Sequence, residues 1–142
     1  HSLLTQRNWQ DASLRTILDA ELTPFDHADR VKLTGPAVML PPKHALTLTL
    51  TLHELATNAA KYGALAHEGG VLEIDWIVSV DGAGRELTLT WRETGVPHIV
   101  PENVKESFGT GLIKNAVVHD LQGRCDHTLQ PGGLVCTVAV PF

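Results

Sequence analysis

The sequence predicts an α+β fold, a two-layer sandwich in which a mixed, mostly antiparallel sheet packs on helices. Three observations carry that expectation. Helical patterns come early, antiparallel strand pairs come mainly late, and one further helical stretch lies between the hairpins. At 142 residues the chain reads as one domain, long enough to bury about two thirds of its unfolded surface in a single core.

Asp11 to Leu22 places Leu14, Ile17, Leu18 and Leu22 at helical spacing, with Asp11 positioned as a cap and Pro24 as a stop. Arg30 to Thr34 alternates Val31 and Leu33 with polar neighbours and reads as a strand. Gly35-Pro36 turns the chain, and Ala37 to Leu40 reads as a second short strand. From Ala45 to Leu52 the run Ala-Leu-Thr-Leu-Thr-Leu-Thr-Leu has period two, which in isolation describes a strand. No turn residue separates Leu52 from the helical pattern that begins at His53, however. Pro41-Pro42 stands where a helix can begin, and Gly63 where one ends. One long helix from about Lys43 to Tyr62 is therefore expected.

Gly69-Gly70 opens a strand from Val71 to about Val80, Asp81-Gly82-Ala83-Gly84 makes a hairpin turn, and Glu86 to Trp91 returns with Leu87 and Leu89 on the side of Trp91. Gly95 to Phe108 is polar, proline-containing and aperiodic, a loop of a length that usually has a function. Gly111 to Leu121 returns to helical spacing and Gly123 ends it. Arg124 to Leu129 and Val135 to Val140, joined by Pro131-Gly132-Gly133, form a last hairpin.

Composition narrows the function. A net charge of −5 with Lys and Arg scattered along the chain speaks against a nucleic-acid binder, which would show a basic stripe. No apolar run approaches the roughly 20 residues of a membrane span, and the start lacks a basic region followed by an apolar one. Cys125 and Cys136 are too few and too far apart for a zinc ribbon or a redox Cys-x-x-Cys. They read as small buried hydrophobes in a reduced, cytoplasmic protein. His1-Ser2-Leu3-Leu4 enters mid-pattern, so the chain reads as part of something larger.

The stretch from His53 to Gly63 carries the chemistry. On a helix Glu54, Asn58 and Lys61 share one narrow stripe, while Leu48, Leu52, Leu55 and Ala59 form an apolar stripe beside it. The polar row is about 10 Å long at helical rise, comparable to a triphosphate with its metal ion. Mg²⁺ prefers hard oxygen donors, which the Asn58 amide offers. Lys61 could neutralise a phosphate, and Glu54 could orient a nucleophile or accept its proton. An ordinary polar helix side is the rival reading of these residues.

Further along, Trp91-Arg92-Glu93-Thr94-Gly95 sets a carboxylate at a strand exit. There it could accept a hydrogen bond from an exocyclic amine such as that of adenine, with Gly95 allowing close backbone approach. Phe108-Gly109-Thr110-Gly111-Leu112 then places glycines at the start of a helix, where free N–H groups and the helix dipole attract phosphate. Each piece alone is weak, and their order is much more specific. The zinc-protease reading of His53-Glu54 fails because Thr57 stands where the second histidine belongs. The dinucleotide and P-loop glycine patterns are not met either.

These segments resemble the ATP-binding catalytic domain of bacterial sensor histidine kinases, and most of all the HWE subgroup. That subgroup has a histidine in the helix motif, matched by His53 before Glu54-Leu55-Ala56-Thr57-Asn58, and a Trp-x-Glu motif, matched by Trp91-Arg92-Glu93. The resemblance runs over essentially the whole chain and implies the Bergerat sandwich shared with gyrase-type ATPases. It implies ATP and Mg²⁺ as cofactors, Asn58 as the Mg²⁺ ligand, and Glu54 assisting phosphoryl transfer, with His53 either orienting the site or serving in packing. It further implies Lys61 on phosphates, Tyr62 near adenine or ribose, and Glu93 with Gly95 at the adenine amine. Val96 to Ser107 would be the ATP lid, and Gly109 and Gly111 would bind phosphate through their N–H groups.

The resemblance also places the phosphoacceptor histidine on a preceding dimerising hairpin, of which residues 1–10 would be the tail. That hairpin and a downstream response regulator would be the partners. Three positions depart from the pattern. Ser107 stands where the wider family often has glycine, Gly111 where the HWE subgroup often has arginine, and Gly133-Leu134-Val135-Cys136 lacks a threonine that commonly contacts adenine. None of the three is a residue assigned to Mg²⁺. An ATP-hydrolysing machine or protein serine kinase on the same fold, or a degenerate nucleotide-binding module, are the alternatives. His44, His67, His98, His119 and His127 read as surface or last-turn residues.

Overall fold

A computed structural model describes residues 11–25, 29–97 and 112–142. Its elements are β1 (Ala12–Ser13), α1 (Leu14–Leu22), β2 (Val31–Thr34), β3 (Met39–Leu40), α2 (Pro42–Lys61), β4 (Val71–Asp81), β5 (Gly84–Thr94), α3 (Leu112–Asn115), β6 (Arg124–Gln130) and β7 (Gly133–Pro141). α3 continues as a wider π-type turn over Ala116–Asp120. Five strands form one sheet in the order β2-β4-β5-β7-β6, in which β2 runs parallel to β4 and all other pairs are antiparallel. β1 and β3 pair separately. The helices cover one face of the sheet, so the sandwich has two layers, as the patterning predicts.

α1 starts two residues later than expected and takes a different cap. Ser13, in extended conformation, accepts the Thr16 N–H at 3.3 Å, so the hydroxyl beside the first turn does the work assigned to Asp11. At the other end of the chain, Gln122 rather than Gly123 adopts the left-handed conformation that closes α3, with φ of 56°. Gly123 is needed for another reason: a Cβ there would overlap the Ala139 carbonyl.

α2 settles the ambiguity of the Leu-Thr alternation. As a helix it buries Leu48 and Leu52 together with Thr47 and Thr51, and leaves Leu46 and Leu50 on the surface. The threonines satisfy their hydroxyls locally, Thr49 on the Ala45 carbonyl at 2.7 Å and Thr51 on the Thr47 carbonyl at 2.8 Å. The apolar side continues through Leu55, Ala56 and Ala59 onto Leu72, Ile74, Trp91 and their sheet neighbours. His44 near the start of α2 bonds through Nε2 to the Pro141 carbonyl at 2.7 Å, tying the helix to the end of β7.

The two hairpins close as expected, with longer strands. Asp81 pairs with Gly84 across Gly82-Ala83, and its carboxylate accepts the N–H groups of Ala83 and Gly84 at 2.8 and 3.2 Å. Gln130 pairs with Gly133 across Pro131-Gly132. On β5 the inward side runs Leu87, Leu89, Trp91 and then Glu93. The apolar row ends in a carboxylate.

The helix predicts unequal costs among four like residues. In a strand Leu46, Leu48, Leu50 and Leu52 would share one face. In the helix Leu48→Ala and Leu52→Ala each destabilise by about 2–5 kcal/mol, whereas Leu46→Ala stays within about 0.5 kcal/mol. Urea unfolding of the three variants measures this, and equal losses at all three would contradict the helix.

Candidate functional site

The final two turns of α2 carry the polar stripe. Glu54 is half-buried, Asn58 is 4% exposed, and Lys61 is exposed at the C-terminal end, where a cation also complements the helix dipole. The Asn58 Nδ2 donates to Glu54 Oε1 across a long 3.5 Å contact. Its amide oxygen therefore points away from that carboxylate. Tyr62 follows the helix, 42% exposed, with its N–H on the Asn58 carbonyl at 2.8 Å. Glu54, Asn58, Lys61 and Tyr62 thus stand as the sequence arranges them.

What fixes this stripe is the corner that follows it. Glu93 reaches from β5 into the corner at Gly63-Ala64, where Oε1 accepts the Ala64 N–H at 2.9 Å. Its Oε2 accepts the Trp91 indole N–H, also at 2.9 Å. Trp91 and Glu93 are two residues apart on one strand, so both side chains lie on the inward face and meet. The Trp-x-Glu motif is a hydrogen-bonded pair, and its partner is the end of the helix motif. A Cβ on Gly63 would overlap Glu93 Oε1, which explains the glycine there.

Glu93 is 3% exposed, and burial pushes its carboxyl above the ordinary carboxylate range, with the Ala64 and Trp91 hydrogen bonds pulling partly back. With each oxygen engaged and so little surface open, Glu93 holds the corner together. The physical reason for its burial is alternation: Leu87, Leu89 and Trp91 all point inward, and Glu93 follows them. Each carboxylate oxygen can accept a second hydrogen bond, so these two bonds do not replace the expected contact to an adenine amine.

Arg30, His67, Gly95 and Gly133 complete the corner. The Arg30 guanidinium, just before β2, donates to the carbonyls of His67 and of Leu65, the latter at 3.3 Å. His67 donates from Nδ1 to the Gly63 carbonyl at 2.9 Å. Gly95 takes φ of 79°, and a Cβ there would overlap the Gly69 carbonyl; a Cβ on Gly133 would overlap that of Glu93. Gly95 is thus required by close backbone packing against the corner. Arg30 stands as a cation before a short strand, and nothing in the sequence names the carbonyls it meets.

His53 faces another way. Its Nδ1 meets Glu21 Oε1 of α1 at 2.8 Å, and its side chain is 66% exposed. Together with Thr47, Leu50 and Glu54 it lines a cleft of about 570 Å³ whose opposite wall is Asn115, Ala116, His119 and Asp120. The structure therefore puts His53 on a rim between α1, α2 and the turn that extends α3. Phe108, Gly109, Thr110 and Gly111 lie outside the described residues, as does most of the expected lid beyond Pro97; Leu112 opens α3.

The donor set suits a hard cation with a polyphosphate. An amide oxygen and a neighbouring carboxylate offer only hard oxygens, and a lysine lies one turn away on the same face. Among the described residues no group of three or more His, Cys, Asp or Glu side chains could hold a metal ion by itself. A Mg²⁺ ion that keeps most of its ligands from water and phosphate does not require one. No helix among the described residues is long and apolar enough to cross a membrane.

The chain is similar to several known proteins. Residues 1–37 match the HWE histidine kinase family. Over 144 aligned residues the chain is 32% identical to the blue-light-activated histidine kinases of Brucella ovis and of Brucella abortus strain 2308, an alignment covering all of this chain and 29% of each relative. The chain thus spans under a third of the curated relatives it matches. Among solved structures, the histidine kinase domain of the Erythrobacter litoralis EL346 blue-light activated histidine kinase superposes with a TM-score of 0.66. It is 19% identical, over 90% of this chain and 58% of that one. The catalytic domain of histidine kinase ThkA superposes with a TM-score of 0.65 at 15% identity, over 92% and 93% of the two chains. At these identities the structures share the fold.

The Glu93 corner makes a signed prediction. Because its carboxyl is held above the ordinary value of about 4.3, the folded state keeps a proton that the unfolded state has released. Its contribution to stability is full below that value and falls as pH rises through the folded pKa. Urea unfolding across this range should show the stability advantage of wild type over Glu93→Gln shrinking with rising pH; an advantage that grows would contradict the burial. Glu93→Ala orphans two buried N–H donors and should cost about 1–3 kcal/mol for each.

Proposed function

We propose that the chain, similar to HWE histidine kinases, is the ATP-binding catalytic domain of a sensor kinase of that family. It would bind Mg-ATP and pass the γ-phosphoryl group to a histidine on a dimerisation hairpin of the parent protein. From there a response regulator would receive it, in a cytoplasmic two-component pathway. The observation that carries the reading is the row of Glu54, Asn58 and Lys61 on one face of a helix whose end is fixed to the sheet.

In this reading Asn58 offers its amide oxygen to Mg²⁺, and Lys61 meets a phosphate. When bound, the ion neutralises charge on the phosphate oxygens. Glu54, held toward Asn58, is placed to orient the attacking imidazole and accept a hydrogen bond from it. Tyr62 offers an exposed ring at the corner, suited to an adenine or ribose. The backbone N–H groups of Gly109 and Gly111 would take phosphate, as the resemblance implies. Glu93 supports the corner from below. Phosphoryl transfer asks mainly for positioning and charge stabilisation, and a stripe fixed at its end supplies the first.

Calorimetric titration with ATP tests the proposal. Binding should require Mg²⁺ and fall in the micromolar range, about −8 kcal/mol, and Asn58→Ala should abolish this Mg²⁺-dependent binding while the variant still unfolds cooperatively in urea. In the full-length parent, acid-labile phosphate should form on histidine and disappear with Asn58→Ala. ATP hydrolysis without histidine phosphate would favour an ATPase on this fold, serine phosphate a serine kinase, and absence of nucleotide binding by folded protein a degenerate module.

A further inference from the structure

His53 stands on the cleft rim with no part in the reading above. Its Nδ1 meets Glu21 Oε1 at 2.8 Å, a contact between two helices and between residues 32 positions apart. A carboxylate only accepts, so Nδ1 donates, and the neutral ring carries its proton there. With Nδ1 taken by α1, the lone pair on Nε2 is what His53 has left to offer the cleft that it lines with Glu54.

Glu21 is a fixed acid rather than a loose one. Its side chain is 18% exposed, and α1 is docked into the core through the buried Leu14, Leu18 and Leu22. His53, at 66%, stays accessible from the cleft. An ion pair with one such exposed member adds little to stability. What a held carboxylate on one ring nitrogen does supply is orientation, because it sets the ring plane and decides which nitrogen accepts. The other ionisable groups of the cleft are Glu54, next to His53 on α2, and His119 and Asp120 on the opposite wall.

We propose that Glu21 and His53 form a carboxylate–imidazole pair that positions the incoming acceptor segment at Glu54. Glu21 is the positioning residue, fixing the ring through Nδ1. His53 touches the segment, its Nε2 accepting a hydrogen bond from an N–H or O–H donor there. No proton is transferred in this contact, and the attacking imidazole keeps its hydrogen bond to Glu54. The inference rests on the reading above, in which a histidine of the parent protein receives the phosphoryl group. It adds a second point of contact beside the reacting one, and two points fix an orientation that a single point leaves free to rotate.

Rates of histidine phosphorylation and ATP affinity, both measured on the full-length parent, test the pair. Glu21→Ala should slow transfer by about 10–100-fold while the ATP dissociation constant stays at its wild-type value. His53→Ala should show the same loss and the double variant no further loss, because Glu21 acts only through the ring. Glu21→Gln keeps an oxygen that can accept from Nδ1 and should retain most of the rate. In the wild-type chain, nitrogen NMR should find neutral His53 protonated on Nδ1, a preference that Glu21→Ala removes. Unchanged transfer in Glu21→Ala would overturn the proposal, as would additive losses in the double variant, a loss of ATP affinity, or a wild-type ring protonated on Nε2 alone. Absence of histidine phosphate in the wild type would instead sink the kinase reading, and the pair with it; equal phosphate in wild type and Glu21→Ala leaves that reading standing and removes only the pair.

Discussion

A carboxylate taken out of water without partners costs several kcal/mol, so the Glu93 position exists only because two donors are delivered to it from different parts of the chain. The Trp91 indole arrives along the same strand, and the Ala64 amide arrives where the chain leaves α2. Each donor depends on a local rule, alternation in one case and a glycine corner in the other. Around them Gly63, Gly95 and Gly133 are kept free of side chains by close packing, and Arg30 gathers the carbonyls of the loop. The corner joins β2, α2, β5 and β7 at one point, and the polar stripe of α2 inherits its position from that point.

Much of the fold was legible because its signals were periodic. The strand pairs and their turns, the helix at Leu14, Ile17 and Leu18, and the long α2 all follow from spacing and from the prolines and glycines at their ends. α2 is the instructive element, because its first half has strand periodicity. Continuity with the second half, and the absence of a turn, outweighed eight residues of alternation. The structure supplies the reason such a run tolerates a helix, in threonines that return their hydroxyls to carbonyls one turn back.

The site was legible as a set of residue types and less so as a set of roles. Glu54, Asn58 and Lys61 share a face because the helix rule is sufficient to place them. Glu93 ends a strand, where the sequence suggests a ligand-facing acid, and the alternation of Leu87, Leu89 and Trp91 aims it inward. His53 was read beside Glu54, yet its bond goes to Glu21, a partner 32 residues earlier that no local pattern names. The same holds for Arg30 and for the pairing of His44 with Pro141. Contacts between distant segments depend on the docked geometry, which the sequence shows only through the residues it must leave small.

α2 is fastened near its start by His44 to the end of β7 and just beyond its last turn by Glu93 to β5. Helix ends ordinarily fray, opening at nearly no free-energy cost, and carry the fastest-exchanging amides of a domain. Here the last turn, with Asn58 and Lys61, opens only if the sheet hairpin releases its carboxylate. The amides of that turn therefore belong to the slowly exchanging population of the central strands, and the stripe behaves on the timescale of the core although it lies at a helix terminus.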